Sequence, residues 1–99
     1  MRIVITEPAK FHLREIHDYY KQFASRKIAD KIKRGIIEKL KALKDNPHIG
    51  KKEEHLEDLN LNHRRMVEGN YKIVYRIDGE TIFITDIFDA RQNPDKMLE

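Results

Sequence analysis

Three β-rich runs, His63–Glu68, Tyr71–Asp78 and Glu80–Asp89, follow one another in the last third of the chain. Gly69-Asn70 separates the first pair and a turn centred on Gly79 separates the second. Glycine there supplies the positive φ that tight hairpin turns demand, so the runs are predicted to form consecutive antiparallel strands. This meander constrains everything upstream, because its apolar face needs a cover.

The cover is written between residues 7 and 45. Ile3-Val4-Ile5 opens the chain as a short strand, and Thr6 or Glu7 then starts a helix with Pro8 in its first turn, where no amide partner is lost. Leu13, Ile16, Tyr20 and Phe23 recur at spacings of three and four and share one face; Tyr19, Tyr20 and Phe23 are read as core. Ser25 caps a second helix whose stripe is Ile28, Ile32, Ile36, Leu40 and Leu43, and Asn46-Pro47 stops it. With almost no loop between them, the helices form an antiparallel hairpin. Residues 45–62 are a connection with an acidic patch at Glu53, Glu54, Glu57 and Asp58, pinned by Leu56, Leu59 and Leu61. The order is β-α-α-β-β-β: an α+β fold, with the helical hairpin packed on one face of a small, mainly antiparallel sheet. One domain is expected over residues 1–99, since 99 residues with 39% hydrophobic and 37% charged side chains build one small core.

Register decides which side chains meet. A two-residue Gly69-Asn70 turn sets Met66 opposite Ile73 in the core and Arg65 opposite Val74 on the far face. A three-residue turn would drive the Arg65 guanidinium under the helices, at a cost of several kcal/mol. A two-residue type I′ turn at Asp78-Gly79 puts Tyr75 opposite Ile82, Ile73 opposite Ile84 and Tyr71 opposite Asp86, all facing the helices. The other face then carries Lys72, Val74, Arg76, Phe83, Thr85, Ile87, Asp89 and, if the strand runs on, Arg91. His63, Arg65, Lys72, Arg76 and Arg91 gather there with Thr85 and Asp89 among them. Alternating charges are commonly just the solvated side of a sheet. Like charges packed this closely nonetheless repel unless an anion is meant to sit among them. We take Arg65, Lys72, Arg76, Thr85, Asp89 and Arg91 as the candidate target-binding surface.

Other chemistries find little footing. His12, His17, His48 and His55 show no metal-ligand spacing, and there is no Gly-rich phosphate loop, no nucleophile motif and no cofactor motif. No apolar run approaches the roughly 20 residues needed to cross a bilayer, so no membrane partner is expected. The short start Met1–Ile5 is no signal peptide, and the chain has no cysteine, which fits a reducing cytoplasm. The net charge of +3 hints at an anionic partner. Arg26, Lys27, Lys31, Lys33, Arg34, Lys39, Lys41 and Lys44 far outnumber the acidic residues, such as Asp30 and Glu38, on the second helix. They read first as a solvated face, then as a surface for nucleic acid or an acidic protein.

The run Arg65-Met66-Val67-Glu68-Gly69-Asn70-Tyr71-Lys72-Ile73-Val74-Tyr75-Arg76-Ile77 resembles the central hairpin of RelE/ParE-family toxins. Those proteins carry a basic residue, a small turn and then Gly-x-Tyr-(Arg/Lys)-(hydrophobic)2-Tyr. The Leu43…Asn46-Pro47…Gly50 loop looks like theirs, as does the final strand Ile84–Asp89 leading to Arg91. The resemblance covers about the whole chain and agrees with the element order read above. It implies a plasmid-stabilisation type of protein, a growth-inhibiting toxin of a type II toxin–antitoxin system. A cognate antitoxin would neutralise it, in a hetero-oligomer of the two.

By the same resemblance the target is DNA gyrase, as for ParE-like members, or messenger RNA on the ribosome, as for RelE-like members. A third possibility is an inactive member that only binds antitoxin. Cutting RNA needs a base, cations at the phosphorane and an acid for the leaving 5′-oxygen. In a metal-independent endoribonuclease, Arg65, Lys72 and Arg91 would be the cations and His63 the acid or base, since its ordinary pKa lies near neutrality. Ribonuclease members often place a His or Tyr beside or shortly after the terminal arginine, whereas here Asp89 precedes Arg91 and Gln92–Glu99 contains neither. That departure favours the gyrase-binding expectation.

Overall fold

A computed structural model describes residues 1–98. Strand β1 (Arg2–Ile5) leads into helices α1 (Glu7–Phe23) and α2 (Arg26–Asp45). A two-residue strand β2 (Lys51–Lys52) and a 3-10 turn over Glu54–Leu59 come next. The meander β3 (Arg64–Glu68), β4 (Tyr71–Asp78) and β5 (Thr81–Asp89) follows, with a second 3-10 turn at Pro94–Lys96. The five strands lie in the order β1-β5-β4-β3-β2, all antiparallel except β1, which runs parallel to β5. The α+β architecture is thus the one read from the sequence, widened by the short β2.

Local chemistry sets the helix ends. The Thr6 hydroxyl accepts from the Ala9 amide at 3.4 Å and donates to the Ile84 carbonyl at 3.0 Å, so the cap of α1 is also tied to β5. The Ser25 hydroxyl accepts from the Ile28 amide at 3.1 Å and starts α2. Leu13 from α1 and Ile36, Leu40 and Leu43 from α2 pack on Ile73, Tyr75, Ile82, Ile84 and Ile87. Phe23 and Ile28 depart from the expected stripes: they flank the Ala24-Ser25 turn at the hairpin tip and are largely exposed.

The Gly69-Asn70 turn has two residues, with Met66 opposite Ile73 and Arg65 opposite Val74, as the charge-burial argument requires. The second hairpin differs from expectation. Asp78 pairs with Thr81, so the turn is Gly79-Glu80, not Asp78-Gly79. Gly79 alone has positive φ there (60°), the glycine-first pattern of a II′ turn, which asks for one left-handed residue instead of two. A two-residue slip keeps every side chain on its face, so Tyr75 meets Ile84 where Ile82 was expected.

A second difference moves side chains across the sheet. Tyr75 pairs with Ile84 but Val74 pairs with Asp86, leaving Thr85 as an extra residue in β5. Such a bulge inverts the alternation beyond it. Ile87 therefore joins the helix-side core, and Asp89 pairs with Tyr71 on that same side. Asp86, expected opposite Tyr71 in the core, pairs with Val74 instead, and Phe88 follows it to the far face beside Lys72.

The far face is also not open. Leu56 from the first 3-10 turn and Met97 and Leu98 from the tail pack on Val74 and Phe88, forming a second, smaller core. Buried Asp86 fastens this layer, accepting from the Leu98 amide at 2.8 Å and lying 2.6 Å from His12 Nδ1.

Candidate functional site

The expected single platform is two clusters. On the far face Arg65, Lys72 and Arg76 lie where register places them, but Arg65 and Lys72 converge on a carboxylate of the connecting segment. Glu53 is 1% exposed. Lys72 Nζ approaches its two oxygens at 3.3 and 3.4 Å, Arg65 Nε lies 3.6 Å away, and His55 Nδ1 is at 2.9 Å. Burial pushes the Glu53 carboxyl up, but the His55 hydrogen bond and the Lys72 charge outweigh it, and the carboxyl sits below its usual range. Arg65 also donates to the Lys52 carbonyl. Arg76 lies over the Phe83 ring at 4.7 Å, with Asp78 at 3.8 Å. Each of these cations therefore has a partner within the chain. Thr85, the bulge residue, is also spoken for: its hydroxyl donates to the Val74 carbonyl at 3.3 Å.

His63 was expected at an accessible strand edge. It lies just before β3, its carbonyl accepting from the Glu53 amide at 2.8 Å, and is 3% exposed. Its Nδ1 is buried without a hydrogen-bond partner. Burial first, then the nearby Arg76 charge, lowers its pKa, with Glu53 opposing only in part. A neutral, enclosed imidazole is poorly placed to exchange a proton with a substrate.

The second cluster lies on the helix side, where the bulge carries Asp89 and Arg91. Arg91 closes on Asp89 as a fork, Nε at 2.9 Å from one oxygen and a terminal nitrogen at 2.8 Å from the other; the Arg91 amide adds a third bond at 2.9 Å. The Arg91 hydrogen bond holds the Asp89 carboxyl below its usual range, and in return the Arg91 pKa is raised. Next to them the Tyr71 hydroxyl donates to that of Tyr20 at 3.2 Å, and burial with this bond raises the Tyr71 pKa. An open cleft of about 660 Å³ runs along this cluster, between α1 and the end of β5. Arg91 thus stands across the sheet from Arg65 and Lys72, not among them.

Tyr19, Tyr20, Tyr71 and Glu53 were not read as site residues. For the tyrosines the signal was the break in alternation at Asp86-Ile87-Phe88, where two adjacent apolar residues must serve opposite faces. Nothing in the acidic patch distinguishes Glu53 from Glu54. Among the described residues no group of three or more His, Asp or Glu is arranged to hold a metal ion. No helix among them is long and apolar enough to cross a membrane.

Comparison with known proteins places this geometry. The family model described as the ParE toxin of the type II toxin–antitoxin system, parDE, matches residues 3–94. This chain belongs to the ParE toxin family. The match takes in both α-helices and, but for Arg2 at the start of β1, the five strands. The fold is also that of a solved structure described as a chromosomal ParDE TA system from P. aeruginosa. The two share 22% identity at a TM-score of 0.75, over 90% of this chain and 95% of that one. No curated protein matches. As a ParE-family toxin, the chain has an antitoxin as its partner. The matched span includes Glu53, Arg65, Lys72, Asp89 and Arg91.

Proposed function

We propose that this ParE-family toxin arrests growth in the cytoplasm by binding and poisoning DNA gyrase, without catalysing a reaction of its own. One observation carries the choice: the cations that would stabilise a phosphorane are dispersed. Arg91 pairs with Asp89 on the helix side, while Arg65 and Lys72 pair with buried Glu53 on the other face. Cleavage needs a base, an acid and positive charge within reach of one phosphate. His63, the proposed acid or base, is enclosed. A protein that acts by binding needs none of that convergence. It needs a shaped surface with some unburied charge, and the Arg91 side chain is 58% exposed.

The test is induction without antitoxin. Filamentation with an SOS response is the expected outcome. Rapid translation arrest with cleaved messages would instead support a ribosome-dependent endonuclease, and normal growth would leave an antitoxin-binding module.

A further inference from the structure

Helix α1 leaves one row of aromatic side chains in solvent beside the Arg91 cleft. Phe11, Tyr19 and Phe23 are 51, 56 and 67% exposed. Their spacings of eight and four put them on one i, i+4 row of α1, with Glu15 between. Tyr19 packs on Phe23 with ring centroids 5.0 Å apart and edge-on to Tyr20 at 5.2 Å, so the row is held in place before any partner arrives. Three large aromatic residues in one row are the composition of an interface. The cleft continues this row: Ile16, Tyr19, Tyr71 and Ile87 line it together with Arg91 and Lys96.

Charge says what enters. A guanidinium fork takes one carboxylate at a time in two-point fashion, and Asp89 holds that place in the free protein. Asp89 itself lines the cleft, so a carboxylate brought by a partner can take over the same fork. Glu15 on the opposite wall repels a second carboxylate and leaves the Arg91 side as the entrance for charge.

We infer that the antitoxin seats a large apolar side chain in the cleft between α1 and β5, and that an adjoining carboxylate of the antitoxin displaces Asp89 from Arg91. Asp89 is then the internal counter-ion that sets the affinity, and Tyr19 and Phe23 are the apolar anchors. The inference rests on the reading of this chain as an antitoxin-neutralised toxin.

The experiment is titration of the full chain and its variants with the purified product of the adjoining antitoxin gene, each variant checked for unchanged thermal unfolding. Arg91→Ala and Tyr19→Ala are expected to weaken binding about tenfold or more, as loss of interface anchors does. Asp89→Asn is expected to tighten it by up to about fivefold, the worth of an exposed ion pair. Wild-type affinity in both Arg91→Ala and Tyr19→Ala overturns the surface while leaving the antitoxin reading intact. Weakened binding in Asp89→Asn overturns the displacement, making Asp89 a support of Arg91. A wild-type chain that does not bind the antitoxin at all overturns the antitoxin reading itself.

Discussion

The Lys72 ammonium lies 3.3 Å from the carboxylate of Glu53, a side chain that is 1% exposed, so a cation of the sheet's far face is neutralised from beneath the connecting segment. This pairing separates a surface that is merely basic in sequence from one whose charge is free to meet a target. Removing one partner of a buried pair leaves the others uncompensated. Glu53→Gln is therefore expected to cost about 3 kcal/mol of stability, since Lys72 and Arg65 would keep their charges beside a neutral group. Denaturant unfolding of Glu53→Gln against wild type checks this, and the Lys72→Met partner change should recover part of the loss.

The same carboxyl sets an acid limit. Its folded pKa is lowered, so the folded state binds fewer protons than the unfolded chain. The stabilisation is complete above the ordinary glutamate value of about 4.3 and is lost as pH falls through the lowered folded value. Melting temperature against pH should drop in that acid window for wild type and drop less for Glu53→Gln.

His63 sets a second and higher window. Its folded pKa is lowered, so protonation favours the unfolded chain. Stability from this site is full above the ordinary histidine value of about 6.5 and declines as pH falls below it. His63→Phe should flatten that part of the profile while leaving toxicity at the wild-type level. Loss of toxicity in a stable His63→Phe would return His63 to the chemistry.

Much of this architecture was legible in the sequence, and the exceptions have physical reasons. The Gly69-Asn70 register followed from the cost of burying Arg65, the second helix cap followed from Ser25, and the first was narrowed to Thr6 or Glu7, of which Thr6 is the cap. The far-face placement of Arg65, Lys72 and Arg76 was legible for the same reason. The bulge at Thr85 was not, because an extra residue leaves the composition of a strand unchanged. Only the adjacency of Ile87 and Phe88, both buried on opposite faces, betrays it. Arg91 was therefore placed on the wrong side. Glu53 was hidden beside three acidic neighbours, Glu54, Glu57 and Asp58, since burial of one carboxylate depends on where the chain doubles back.

Tyr75 binds the connection to the sheet. Its hydroxyl accepts from the Gly50 amide and donates to the Pro47 carbonyl, both at 2.9 Å. Tyr75→Phe leaves both backbone groups without that partner and is expected to cost about 1–3 kcal/mol. Gly50→Ala should be at least as damaging, because a Cβ there would lie 2.5 Å from the Tyr75 hydroxyl and 2.7 Å from the Arg65 carbonyl. Thermal unfolding of the two variants measures both effects.

The two arginines should part company. Arg91 is exposed and its fork closes on Asp89 within its own turn, so Arg91→Ala is expected to unfold at nearly the wild-type temperature and to lose toxicity. Arg65 is tied to Glu53 and to the Lys52 carbonyl, so Arg65→Ala should unfold several degrees lower. Growth inhibition read alongside melting temperature separates the two effects.

The central claim is that this toxin acts by binding gyrase and not by cutting RNA. The direct measurement is to mix the purified chain with DNA gyrase and supercoiled plasmid, and in parallel with translating ribosomes and a defined message. The account predicts trapped, gyrase-cleaved DNA with the message intact. Message cut at discrete sites by the ribosome-bound protein, with gyrase unaffected, would contradict it.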